Sequence, residues 1–435
     1  MPESRPNVVL VSIDSLRADH CGFLGDDRGL TPAIDALAAD GVGFDRAVAP
    51  GPQTFSSMQA VFTGVHRSMQ PLETYPGDSH WERRLSSIDD HLGRHASLAE
   101  RFKALGYSTV GFSPNPWTSK ASGFDRGFDH FFDFVGKSSD GWLRALARKI
   151  PGLDETSKPV EITLDMLTGK SFFTRWEGYY ERIEEIRRQL PEPYFLWVFL
   201  MDTHYPFLPS RAHRREQSLP GVLYSTMRSE KAMRGHAETL PDDVRESTAR
   251  SYRDAVRSVD AFVDRLRSDF ADDDPTVILH SDHGESLGEH GNYGHHHRQL
   301  YEENVHVPYV VSVSGGASRT VDEPVSLATI PRVALSVARD GTFDPDAVTA
   351  PTVVATSEGR TNRAVRGRRF KYVEHDAQRS LFDLANDPGE RTDVSGDHVE
   401  RCLMSRARLE RFTGHCRETA RLSRAARSVS SLEKL

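Results

Sequence analysis

Apolar runs, rather than alternating apolar and polar positions, mark the main strands of this chain. Val8–Ile13 (V-V-L-V-S-I), residues 194–201 (Y-F-L-W-V-F-L-M) and residues 276–280 are such runs. An apolar run of this length has the character of a strand buried on both faces of a parallel sheet. Residues 107–112 and 307–313 complete the predicted set. Helical spacing of apolar residues appears at 31–39, 97–105 and 252–266. In the first of these Thr31 is placed as N-cap, Pro32 in the first turn and Gly41 as C-cap, and Gly106 closes the second. Residues 75–94 read as polar and irregular, 136–192 as a helical insertion, and 210–250 as a long Arg-rich connection over the site.

From about Pro351 the pattern changes. Residues 353–356, 363–366 and 370–374 look like short antiparallel strands with a half-exposed face. The run L-F-D-L-A-N-D-P-G-E then makes a turn before a charged helix over 399–412 and a frayed Ser- and Arg-rich tail. The pattern predicts an α/β fold: a large mixed, mainly parallel sheet with helices on both faces over residues 1–350. A small antiparallel sheet with a terminal helix follows over 351–435.

Composition narrows the class. The 435 residues carry a formal charge of −8, and a nucleic-acid binder would present a basic face instead. The three cysteines, Cys21, Cys402 and Cys416, have no metal-type spacing. The N-terminal residues lack the basic and apolar segments of a signal peptide, and no apolar run approaches about 18 residues. These features predict a soluble cytoplasmic protein without stable membrane insertion; oligomeric state is not encoded in them.

Chemistry gathers at the strand ends. Asp14, Asn115, His204 and the Asp282–His283 pair each stand just past the carboxyl end of a predicted strand, where open α/β sheets place their ligands. For Asp14 alone, a helix cap and a ligand are both open readings. Four strand ends delivering polar side chains favour a site. Thr54 lies in P-G-P-Q-T-F-S-S-M, a Pro- and Gly-rich stretch feeding a helix expected from Met58, so its hydroxyl falls near a helix N-terminus suited to anions. Two carboxylates, an imidazole and a hydroxyl suit one divalent metal ion, Mg²⁺, Ca²⁺ or Mn²⁺, with Zn²⁺ possible. Such an ion lowers the pKa of the Thr54 hydroxyl.

The blocks around these residues resemble those of the sulfatases, within the alkaline phosphatase-like superfamily. N-V-V-L-V-S-I-D-S-L-R-A-D-H, T-P-A-I-D-A-L-A-A-D-G-V-G-F, D-T-H-Y-P-F, S-D-H-G-E-S-L-G-E-H-G and L-F-D-L-A-N-D-P-G-E occur in the family's order. The resemblance implies metal ligands Asp14, Thr54, Asp282 and His283, with Thr54 as nucleophile, placed by its spacing to Thr63–Gly64. It implies His204 on the substrate oxygens or leaving group. Asn115, standing where the family often has lysine, would donate to those oxygens. The family's later lysine or histidine falls within His295–His297; counting from one side favours His295 as proton donor, from the other His297.

Two departures alter the expected chemistry. The family's Cys or Ser, oxidised to formylglycine, is Thr54 here, and its motif arginine is Met58. Threonine cannot supply the aldehyde, so no formylglycine is expected. Ser15 stands where sulfatases usually carry a second acidic residue. The set is similar to that of the superfamily's threonine-dependent phosphoester enzymes. It implies hydrolysis of a phosphate mono- or diester, a small anionic substrate, through Thr54. The alternatives are a sulfatase acting without formylglycine and a non-catalytic oxyanion-binding member of the family.

Overall fold

The computed structural model describes residues 5–67, 70–134, 174–236, 238–296, 299–358 and 362–432. In chain order its strands are Val8–Ile13 (β1), Val42–Phe44 (β2), Ala47–Val48 (β3), Ser108–Ser113 (β4), His130–Asp133 (β5), Tyr194–Leu200 (β6), Thr276–Ser281 (β7), Ser286–Leu287 (β8), Tyr293–Gly294 (β9), Tyr309–Ser312 (β10), Arg319–Val321 (β11), Val325–Ser326 (β12), Thr352–Thr356 (β13), Asn362–Gly367 (β14), Phe370–His375 (β15) and Gln378–Asp383 (β16). The α-helices among the described residues are Pro32–Ala39 (α1), Thr54–Thr63 (α2), His80–Arg94 (α3), Leu98–Ala104 (α4), Tyr180–Arg187 (α5), Leu219–Met233 (α6), Asp242–Asp269 (α7), Glu302–Val305 (α8), Ile330–Asp340 (α9) and Val399–Leu432 (α10).

Eight strands form one sheet in the order β11-β2-β10-β7-β1-β6-β4-β5, in which only β10 runs antiparallel to its neighbours. Successive side chains of a strand point to opposite faces, and the apolar runs serve both. On β1, Val9, Val11 and Ile13 enter one core with α1, α5 and α7, while Val8 and Leu10 enter the other with α2, α4 and α9. On β6, Leu196 and Val198 face the first core, and Phe195 and Trp197 the second. Burying each such side chain stabilises the fold by about 1.5–3 kcal/mol. The β1–β6 and β1–β7 registers leave the three strand ends level: Asp14 N donates to Leu200 O at 2.8 Å, and Asp282 N donates to Ile13 O at 2.9 Å.

A second sheet, β13-β14-β15-β16, is antiparallel throughout. Leu409 of α10 seals one face among Val354, Val365, Tyr372 and Leu381. Lys371 of β15, fully buried, ties the sheet to the larger half: its Nζ lies 2.9 Å from both Glu302 of α8 and Glu390.

Several elements differ from the sequence expectation. Residues 80–94 form α3, opened by a reciprocal Ser79–Glu82 capping box; only Ser87, Ile88, His91 and Leu92 of it are buried, which is why it reads as polar. The expected loop at 210–250 contains α6 and the start of α7, packed through small residues such as Ser225, Ser229 and Ala232 that give no apolar stripe. Helix α2 starts at Thr54 rather than Met58, because Ser56 N and Ser57 N already donate to Gln53 O. The turn after β15 contains β16, and the supposed tail continues α10 to Leu432. Of the expected insertion at 136–192, residues 136–173 lie outside the described residues; the remainder holds α5. Gly41 is not a left-handed cap. A Cβ there would lie 2.5 Å from Val311 O, so glycine is required by the approach of β10.

Candidate active site

The level edge of β6, β1 and β7 presents Asp14, Asp282 and His283 together, all fully buried. One oxygen of each carboxylate and an imidazole nitrogen fall within 4.8 Å of one another. Ser15, at φ 63°, turns the chain sharply after Asp14. In that conformation its N–H donates to Asp282 Oδ1 at 3.3 Å and its hydroxyl to Asp14 Oδ1 at 2.9 Å. The strained residue therefore braces both carboxylates.

Helix α2 delivers Thr54 at its first turn. Thr54 Oγ1 donates to Asp14 Oδ2 at 3.3 Å and stands 3.3 Å from His283 Nε2. Gly51 packs against the same turn, where a Cβ would stand 2.4 Å from Ser56 Oγ and 2.7 Å from Thr356 O. Gly64, at φ 76°, closes the helix. Asn115, past β4, donates from Nδ2 to Asp14 Oδ2 at 2.8 Å and accepts from Trp117 N at 2.8 Å. Its amide is thus seated on a carboxylate, whereas the family resemblance directs it to substrate oxygens.

Three imidazoles gather at this site, His283 itself and two that face it. His283 Nδ1 lies 2.7 Å from Gly284 O. A carbonyl only accepts, so Nδ1 carries the proton and Nε2 turns its lone pair toward Asp14 and Thr54. His204 Nδ1 is likewise committed, to Tyr205 O at 2.5 Å. His295 Nδ1 lies 3.0 Å from Glu285 Oε1. The His295 ring stands 4.6 Å from that of His283 and 5.1 Å from that of His204. His295 therefore joins the site, whereas His297 lies outside the described residues. His20, His290 and His306 are engaged elsewhere, with Asp19, Tyr301 and Asp45 O respectively.

The electrostatics suit a cation. Burial, reinforced by the Asp14 charge, pushes the Asp282 carboxyl well above the usual carboxylate range, and Asp282 Oδ2 is buried without a hydrogen-bond partner. Burial holds His283 below the ordinary imidazole range, which leaves the Nε2 lone pair available to a cation. Two carboxylates this close are costly together in a low dielectric unless a positive charge lies between them. The donors present, two carboxylates, a neutral imidazole and a hydroxyl, fit a divalent metal ion.

Sequence reasoning missed Glu285 and the rim. Glu285 is fully buried, and burial followed by the Asp14 charge pushes its carboxyl well above the usual range. Its only sequence signal was a place two residues after His283. At the rim, Arg84 lies over the Phe55 and Trp117 rings, at 4.9 and 5.5 Å, and pairs with Glu358. The charge of Arg84 also reaches His295, where it reinforces burial and the neighbouring imidazoles in holding that ring well below its ordinary range.

Among known families, the one described as Sulfatase matches residues 6–340. An arylsulfatase of Clostridium perfringens is 22% identical over 91% of this chain and 92% of its own length. The multifunctional alkaline phosphatase superfamily protein PehA of Trinickia caryophylli is 23% identical over 72% of this chain and 69% of its own. Among solved structures, a phosphonate monoester hydrolase of Agrobacterium radiobacter superposes with a TM-score of 0.67 at 20% identity, covering 95% of this chain and 96% of that one.

Proposed function

The chain belongs to the sulfatase family, and we propose that it is a metal-dependent hydrolase of phosphate mono- or diesters with Thr54 as its nucleophile. The observation that carries this reading is the Thr54 hydroxyl at 3.3 Å from both Asp14 Oδ2 and His283 Nε2, on a helix N-terminus. Asp14, Asp282, His283 and Thr54 would hold the ion, which supplies positive charge to the ester oxygens and lowers the pKa of the hydroxyl.

The protein's own groups do the rest. Thr54 Oγ1 attacks phosphorus while its proton leaves along the contact to Asp14 Oδ2. The bond to the leaving oxygen breaks with its electron pair on that oxygen, which takes a proton from His295. His204 orients the non-bridging oxygens. Water then attacks phosphorus, returning a proton to His295, and Thr54 Oγ1 leaves with its bond electrons and recovers its own proton. Arg84 at the rim favours an anionic ester. Met58, buried in the apolar core where the family arginine would stand, supports chemistry without formylglycine.

The sulfate-ester reading draws on a different observation, the arylsulfatase name among the relatives. One experiment separates the two. After chelation, the protein is assayed with aryl phosphate, phosphodiester and sulfate esters against added Mg²⁺, Mn²⁺, Ca²⁺ and Zn²⁺. Metal-dependent phosphoester turnover is expected, reduced by roughly 10³-fold or more in Thr54→Ala. Full activity in that variant, or a higher kcat/KM for the sulfate ester, would overturn the proposal.

A further inference from the structure

Glu285 has no place in the reaction as described, yet the chain places it with care. Strands β8 and β9 form a two-residue antiparallel ladder, Ser286 opposite Gly294 and Leu287 opposite Tyr293. The next position outward in that register sets Glu285 opposite His295, and there Oε1 meets His295 Nδ1 at 3.0 Å. The other oxygen, Oε2, is sealed from solvent without a partner, and the residue is fully buried. Its backbone is fixed as well. Arg17 Nη1 donates to Glu285 O at 3.0 Å, and Arg17 is itself gripped by Asp19 and Glu289, at 2.6 and 2.7 Å. Gly294, at φ 71°, would bring a Cβ within 2.4 Å of Met233 O, so α6 presses the hairpin from the far side.

We infer that Glu285 is the positioning residue of His295: it holds Nδ1 so that the imidazole presents Nε2 alone to the leaving group. This rests on the ester-hydrolase reading. The contrast with His204 sharpens the assignment. His204 is anchored by the carbonyl of the very next residue, which travels with it, whereas His295, directly after β9, is oriented by Glu285, directly before β8. An imidazole with one nitrogen engaged by a carboxyl group is fixed in both tautomer and ring plane. With the anionic ester bound, His295 carries both ring protons, Nδ1–H donating to Glu285 Oε1 and Nε2–H to the leaving oxygen, so Glu285 itself exchanges no proton. The proton moves from His295 Nε2 to the leaving oxygen as that oxygen's bond to phosphorus breaks, and water restores it in the second half-reaction.

Two variants and two readouts test this. Glu285→Ala removes the contact, and Glu285→Gln keeps an acceptor of nearly the same volume. A proton donor matters most when the leaving oxygen is basic. Glu285→Ala is therefore expected to lower kcat for an unactivated phenyl phosphate at least about tenfold more than for a dinitrophenyl phosphate. Glu285→Gln should recover most of that difference. Equal losses for both esters, or a Gln variant as poor as Ala, would reduce Glu285 to a structural residue.

The second readout needs no turnover. In protein carrying ¹⁵N-labelled histidine, with His295 assigned through His295→Asn, the Nδ1 resonance should move in Glu285→Ala. Inorganic phosphate should perturb Nε2 and spare Nδ1. An Nδ1 resonance unchanged in Glu285→Ala would refute the contact. A wild-type protein that hydrolyses none of the esters would overturn the function, while the Nδ1 comparison would still decide the positioning.

Discussion

Asn115 Nδ2 donates to Asp14 Oδ2 at 2.8 Å, across the end of the sheet from β4 to β1. The same amide accepts from Trp117 N, so its plane is set by the turn in which it sits. A carboxylate held in this way is presented to an ion at lower cost than one free to rotate.

Replacing Asn115 with alanine is therefore expected to weaken binding of the divalent ion by about 10–100-fold while leaving the fold intact. Calorimetric titration of metal into the chelated protein measures this directly. An unchanged affinity would show that Asp14 is oriented without help.

Gly284 separates His283 from Glu285, and a Cβ there would stand 2.0 Å from Glu303 O, a backbone atom that cannot swing aside. Gly284 N also donates to Asn304 O at 2.9 Å. Gly284→Ala should destabilise the protein by about 1–3 kcal/mol and displace His283 from Asp14. Thermal unfolding with and without added metal checks both parts. The melting temperature should fall, and the metal-induced rise should shrink.

His91 of α3 offers a test against pH. Burial comes first, and the charges of His95, Arg67, Arg94 and His66 add to it, in holding its imidazole well below 6.5. Facing it across a cavity of about 110 Å³ are His415 and Cys416 of α10. Here the unfolded chain takes up a proton near pH 6.5, whereas the folded chain resists it. The unfolded state therefore binds more protons on the acid side, and stability should fall as pH drops below about 6.5. In His91→Gln the slope of unfolding free energy between pH 7 and pH 5 should flatten. An unaltered slope would assign the acid sensitivity to other groups.

The site was more legible in the sequence than the surfaces around it, for a physical reason. A strand buried on both faces must be apolar along its whole length, so the polar residue that ends it stands out, as Asp14, Asp282 and His204 do. Helix α3 hides because it buries only one narrow stripe, although Ser79 and Glu82 carried its capping signal. Helix α6 hides because it packs through serine, threonine and alanine. The pairing of Glu285 with His295 depends on a two-residue ladder with no apolar pattern of its own. The choice between His295 and His297 could not be made by counting, because the loop between β9 and α8 has no fixed period. No described helix is long and apolar enough to cross a membrane, in keeping with the absence of long apolar runs.

The level ends of β6, β1 and β7 also bear on when the site comes into being during folding. Ser15 and Asp282 touch across 267 positions of sequence, and no shorter piece of the chain brings the two carboxylates together. Closing so long a loop is slow, and a one-residue slip of any of these strands would send its side chains to the wrong face. The unfolded chain thus keeps only the adjacent Asp282–His283 pair, without Asp14 or Thr54, with which to capture the ion. Loading would be a late event that rewards the correctly registered sheet, and most of the binding free energy would go to the native state.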